Sequence, residues 1–117
     1  MSGHFKYFNI EEFACKETGE NEIKEELIHC LDMLREKCGF PFVITSGYRS
    51  PSHPIEAAKA EPGTHTQGIA ADIQVSDGVQ RLSVVSNAIA LGFSGIGVAK
   101  HFVHVDIRTT TPVMWTY

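Results

Sequence analysis

One stretch of this chain has clear helical periodicity, and nearly everything after it follows a different pattern. Apolar side chains recur at Ile23, Leu27, Cys30, Leu31, Leu34 and Cys38, the i, i+3, i+4 spacing of one helical face, with Asn21 as a candidate N-cap and Gly39 as the stop. Past Pro41 the apolar runs become short and β-branched. Phe42-Val43-Ile44-Thr45-Ser46 reads as a strand closed by Gly47, Ile69 to Val75 as a second, and Ser94 to Val98 and Phe102 to Ile107 as two more. Between the second and third, Ser76-Asp77-Gly78 turns into a helix ending at Gly92, with Val79, Leu82, Val85, Ala88, Ile89 and Leu91 expected to face inward. Helical pattern first and strands clustered later favour an α+β fold, a small antiparallel or mixed sheet with helices packed on it, over regular βαβ winding.

The shorter pieces fit around that frame. Asn9-Ile10-Glu11-Glu12 has the Asn, and the Glu three residues on, of a capping box, which predicts a short helix through Phe13 and Cys15 that Gly19 ends. Ser52 to Thr66, with Pro54, Pro62 and Gly63 around an alanine-rich centre, predicts a loop carrying a short helical turn. In the tail after Arg108, the rings of Trp115 and Tyr117 are expected to cap the core or a pocket edge. Glu25, Glu26, Asp32, Arg35 and Glu36 fall on the polar side of the main helix and read as a solvated face.

Several classes of function are excluded by composition. A chain of 117 residues without repeats or linker-like stretches is sized for one domain over 1–117, expected as a monomer. Its 43% hydrophobic and 21% charged content argues against disorder, and no apolar run approaches the roughly 20 residues that span a bilayer, so no membrane insertion is expected. A net charge of -4 with scattered Lys and Arg leaves no footprint for nucleic acid. Met1-Ser2-Gly3-His4-Phe5-Lys6 lacks the basic-then-apolar pattern of a secretory leader, so synthesis in the cytoplasm is expected. Cys15, Cys30 and Cys38 form no C-x-x-C pair and read as reduced thiols, Cys30 and Cys38 packing as small apolar residues.

Function is most legible in two short blocks. His65 and Asp72 lie on either side of Gly68, and His104 sits inside Phe102-Val103-His104-Val105-Asp106. A zinc site that does chemistry takes three such ligands and leaves a fourth position open. Strand alternation puts Asp72 on one face with Ala70, and His104 on one face with Phe102 and Asp106. If the two strands are neighbours, Asp72 and His104 meet across the sheet while His65 reaches in from the preceding loop. Gly68 would let the backbone turn tightly between the two upstream ligands.

Thr64-His65-Thr66-Gln67-Gly68-Ile69-Ala70-Ala71-Asp72 matches the x-H-x-x-G-x-A-x-D core of the zinc D-Ala-D-Ala carboxypeptidases and L-alanyl-D-glutamate endopeptidases, and Phe102-Val103-His104-Val105-Asp106 resembles their second metal block. Ser46-Gly47-Tyr48-Arg49-Ser50-Pro51 also looks like theirs, so the resemblance covers roughly residues 40 to 108, and Glu11-Glu12-Phe13-Ala14-Cys15 is similar to small phage-type members. The resemblance implies Zn2+ held by His65, Asp72 and His104, Arg49 against a substrate carboxylate or carbonyl, and hydrolysis of peptidoglycan stem peptides. It further implies a phage-type endolysin released to the wall at lysis, cutting either L-Ala-D-Glu or D-Ala-D-Ala bonds. The chain departs from the family at Gly63, often Ser, and in lacking a Glu-x-Trp-His second block.

That second departure leaves two candidates for the acid–base group. His101 stands three positions before His104, where Glu-x-Trp-His members carry their catalytic Glu, provided it belongs to a loop or bulge; Asp106 has the favourable strand parity but is equally suited to orienting a ligand imidazole. Glu56 and Glu61 on the loop rank below them, and His53 is a candidate to line the cleft. The competing reading is a non-catalytic, zinc-stabilised domain that binds wall fragments or serves as a virion component.

Overall fold

A computed structural model describes residues 4–58 and 63–117. A 3-10 turn, Ile10–Phe13, precedes α1 (Glu25–Cys38), β1 (Ile44–Ser46), α2 (Pro54–Ala57), β2 (Ala70–Gln74), α3 (Gly78–Leu91), β3 (Gly95–Val98), β4 (Phe102–Asp106) and β5 (Val113–Thr116). The strands form one sheet in the order β1-β2-β4-β3-β5. All neighbours are antiparallel except β3 and β5, so the sheet is mixed and the fold is α+β.

The two faces of the sheet have different tasks. Ala71, Ile73, Ile96, Val103 and Val105 point to one face, where they join Leu27, Ile28, Leu31 and Leu34 of α1 and Val84 and Ala88 of α3 in the buried core. Period-two alternation then sends Asp72, His104 and Asp106 to the opposite face. One row of paired residues crosses all five strands there: Ser46, Asp72, His104, Gly97 and Trp115. Burying apolar side chains on the helix side thereby fixes which polar residues share the other side.

Several local expectations shift. Helix α1 starts at Glu25, because the backbone before it is held extended by the Lys24 N–H donating to the Gly68 carbonyl at 2.9 Å. Asn21 instead caps a turn, its Oδ1 accepting from the Ile23 N–H at 3.1 Å. The polar face of α1 is also occupied. Asp32 accepts from the Lys6 and Tyr7 backbone N–H groups, Glu36 engages the Lys6 ammonium and the Tyr7 hydroxyl, and Arg35 lies over the Tyr7 and Phe8 rings. That face therefore docks the N-terminal segment.

In α3 the period is as expected and the phase only in part: of the residues expected to face inward, Ala88 is buried and Val85 and Leu91 pack against the core. Val84 and Ala88 are buried, whereas Val79, Leu82 and Ile89 are 79%, 69% and 57% exposed. Apolar residues surround this helix, and the stripe against α1, β3 and β4 is the one containing the small Ala88. Asp77 caps its start by accepting from the Gln80 N–H at 2.8 Å, and Gly92 ends it in the left-handed conformation. The tail is no simple cap, since residues 113–116 add β5 beside β3. Cys15 is buried and Cys30 and Cys38 are half-buried, all three free. Among the described residues, no helix is long and apolar enough to cross a membrane.

Candidate metal centre

Asp72 on β2 faces His104 on β4 directly across the sheet, and the loop before β2 brings His65 to the same point. The Nε2 of His65 and the Nδ1 of His104 lie 3.2 Å apart, and each is 3.2 Å from Asp72 Oδ1. All three residues are buried, and the ligand atoms fall within 4.8 Å of one another. The approach of His65 depends on Gly68, whose φ of +77° suits glycine and whose missing Cβ would sit 2.3 Å from the Glu22 carbonyl oxygen.

The far nitrogen of each imidazole is already committed. His65 Nδ1 is 2.8 Å from the Gly47 carbonyl oxygen and donates to it, and His104 Nε2 is 2.7 Å from Asp106 Oδ2. With both protons placed there, the two nitrogens that face each other present lone pairs. Such an arrangement is repulsive without a cation, and a divalent metal between two imidazoles and a carboxylate satisfies it. Backbone carbonyl and carboxylate partners of this kind fix tautomer and ring orientation in metal-ligating histidines. The donor set fits zinc.

Charge in the site follows from the same contacts. The tautomer with facing lone pairs is the metal-competent one; in the metal-free protein a proton on the facing nitrogens is shared with Asp72 instead. Although burial works against ionisation of Asp72, the hydrogen bonds from His104 and His65 outweigh it and hold the carboxyl well below its usual range. Asp106 is likewise opposed by burial and held low by His104 and Arg108. Burial disfavours the charged form of His104, yet Asp106 and Asp72 together raise it above its ordinary value.

Asp106 is completely buried and lies beyond His104 from the cluster. Its oxygens also accept from Arg108, from Nε at 2.9 Å, Nη2 at 2.7 Å and the backbone N–H at 3.1 Å. The Arg108 guanidinium lies 5.1 Å from the Trp115 ring, and that ring packs 4.9 Å from His104. Space for this bracket comes from β3: a Cβ on Gly95 would fall 2.2 Å from the Asp106 carboxylate, and one on Gly97 would fall 2.7 Å from the Trp115 indole. Arg108 had a legible signal, because it continues the alternation of His104 and Asp106 by two. Gly47, which contributes only a carbonyl, had none.

A cavity of about 730 Å3 opens over the cluster, with Arg49, Thr64 and Gln67 on one side and Phe102, Trp115 and Tyr117 on the other. Arg49 is 17% exposed, its Nη2 3.7 Å from Asp72 Oδ2 and its Nη1 3.4 Å from Glu56 Oε2, with Nε donating to Ser46 Oγ at 3.1 Å. Glu56 is thus a buried partner of Arg49 and of the Gly63 N–H at 3.3 Å, not a solvated loop acid. Glu61 lies outside the described residues. His53 caps α2, its Nδ1 accepting from the Ile55 N–H at 3.1 Å. His101 does belong to the β3–β4 loop, but its exposed side chain lines a separate depression beyond Phe102 and is not brought to the cluster.

The family profile described as Peptidase M15 matches residues 4–106. The chain belongs to this peptidase family. A comparison with curated proteins finds none that matches. Membership supports a metallopeptidase, and the cluster of His65, Asp72 and His104 is where such a member of the M15 family could hold its ion. The matched region ends at Asp106, so Arg108, Trp115 and Tyr117 lie outside it although they build one wall of the cavity.

Proposed function

We propose that this M15 protein is a single zinc peptidase domain that hydrolyses peptidoglycan stem peptides, acting as a phage-type endolysin on either the L-Ala-D-Glu or the D-Ala-D-Ala bond. The observation that carries the reading is the convergence of His65 Nε2, Asp72 Oδ1 and His104 Nδ1 beneath an open cavity. Zinc bound there supplies Lewis-acid polarisation of a carbonyl and an acidified water.

The residues of the chain do the rest. Gly47 and Asp106 hold the two imidazoles in register, so the ligand geometry needs little reorganisation. Arg49, fixed by Ser46 and Glu56, presents a planar fork of donors suited to a substrate carboxylate or to negative charge growing on the scissile oxygen. Asp106 serves as a positioning residue, because its oxygens are engaged by His104 and Arg108 and do not line the cavity.

Murein sacculi incubated with the zinc-loaded protein, with and without chelator, and analysed by mass spectrometry test this reading. New amino termini at D-Glu are expected from the endopeptidase and free D-Ala from the carboxypeptidase, both lost on chelation. Binding to sacculi without any released product favours the non-catalytic domain instead.

A further inference from the structure

Phe102 bounds the cleft over the cluster at one end. The half-buried Phe102 ring is shared with a second depression of about 420 Å3, lined also by Thr45, Gln74, Ser76 and His101. The two depressions open on one face of the sheet. Gln74 pairs with Phe102, two residues along each strand from the pair Asp72 and His104, so strand alternation puts all four side chains on the same side.

The second depression has its own chemistry. No carboxylate is among its described lining residues, and Gln74 and His101 expose an amide and an imidazole. The turn that presents His101 is pinned from below: Arg81 donates from Nε to the Ala99 carbonyl at 3.2 Å and from Nη2 to the Lys100 carbonyl at 2.6 Å, while the His101 carbonyl accepts from the Val75 N–H at 2.9 Å. Arg81 and Lys100 concentrate positive charge at this turn in a chain whose net charge is -4. Asp77, the acid next to Ser76, is engaged in capping α3.

We propose that the second depression is a substrate subsite for a carboxylate-bearing residue of the peptide, with Gln74 and His101 donating hydrogen bonds to that carboxylate. The proposal rests on the peptidase reading above. An extended peptide advances ~3.3 Å per residue, so with the D-Ala-D-Ala bond over the cluster the D-Glu, two residues before the first D-Ala of that bond, reaches the Gln74–Phe102 pair, and it is this bond that the subsite serves. Amide and imidazole N–H groups match a carboxylate, and the neighbouring cations favour it over a neutral group. His101 then acts in binding and not in proton transfer.

The probes are the pentapeptide L-Ala-γ-D-Glu-L-Lys-D-Ala-D-Ala and the same peptide with the D-Glu α-carboxyl amidated. Affinity is measured by calorimetry on metal-free protein, and KM and kcat on zinc-loaded protein. The acid is expected to bind ~10-fold more tightly than the amide, the order of one charge-assisted hydrogen bond. His101→Ala and Gln74→Ala, both exposed positions, are expected to erase that preference and raise KM while kcat stays within about twofold. An acid-to-amide ratio unmoved by both variants overturns the subsite. So does a fall in kcat of ~100-fold or more in His101→Ala at constant KM, which is the signature of an acid–base group. Absence of product with zinc-loaded wild-type protein overturns the peptidase reading, while the calorimetric comparison still decides the subsite.

Discussion

At the scale of single residues, the 2.7 Å bond between His104 Nε2 and Asp106 is the contact through which the proposed metal site is tested first. Asp106→Asn keeps the size but removes the charge that braces the imidazole. It is expected to weaken zinc binding ~10- to 100-fold, as read by competition with a chromophoric chelator. The same contacts set the response to pH. His104 is raised above its ordinary 6.5 in the metal-free protein, where burial opposes its charge and Asp106 and Asp72 outweigh burial. Stabilisation from a raised imidazole is complete below the unfolded value and is lost as pH rises through the folded one. Zinc needs the neutral imidazole, so its affinity climbs over the same window. As pH rises above the ordinary imidazole value of 6.5, the metal-free protein is expected to lose stability while zinc binding strengthens. Thermal melts with and without zinc measure both trends, and His104→Gln should flatten them. The clustering of His65, Asp72 and His104 was legible because their chemical types recur at spacings that strand alternation makes meaningful. The lone carbonyl of Gly47 was not, because a backbone oxygen leaves no trace in a side-chain pattern.

At the scale of elements, β1 to β4 were readable to within a residue or two, and α3 shows what periodicity leaves open. A helix with apolar residues on several sides reports its period but not which stripe meets the core. The three-dimensional packing selects Val84 and Ala88 over Val79, Leu82 and Ile89. Val84→Ala is accordingly expected to cost roughly 2 kcal/mol, since it opens space in a closed core. Leu82→Ala, at a position 69% exposed, should stay within about 0.5 kcal/mol despite deleting more atoms. Urea denaturation of both variants checks the order, with a shifted midpoint at constant slope as the sign of a pure stability change. Equal losses would restore the inward placement of Leu82. β5 escaped detection for a related reason. Val113–Thr116 is a short, exposed edge run whose strand character comes from pairing with β3.

For the whole molecule, what matters is that the apolar core and the ligand cluster occupy opposite faces of one sheet. Leu27, Ile28, Leu31 and Leu34 pack with Ile73, Val103 and Val105 without involving His65 or Asp72, so the fold does not need an ion to close it. Removing metal therefore differs from stripping a zinc finger, whose small core cannot stand alone. After chelation the far-ultraviolet circular dichroism is expected to persist. The loss appears in the melting temperature, because a ligand bound only to the folded state at about 1,000 times its Kd contributes about 4 kcal/mol. For a domain of this size that is a drop of roughly 10–20 °C, recovered by adding zinc. His65→Ala should melt near the metal-free value whether or not zinc is present, because it removes a ligand and leaves the helix-side core intact. Collapse of secondary structure on chelation would mean that the cluster, and not the packing of α1 and α3 on the sheet, holds the strands together.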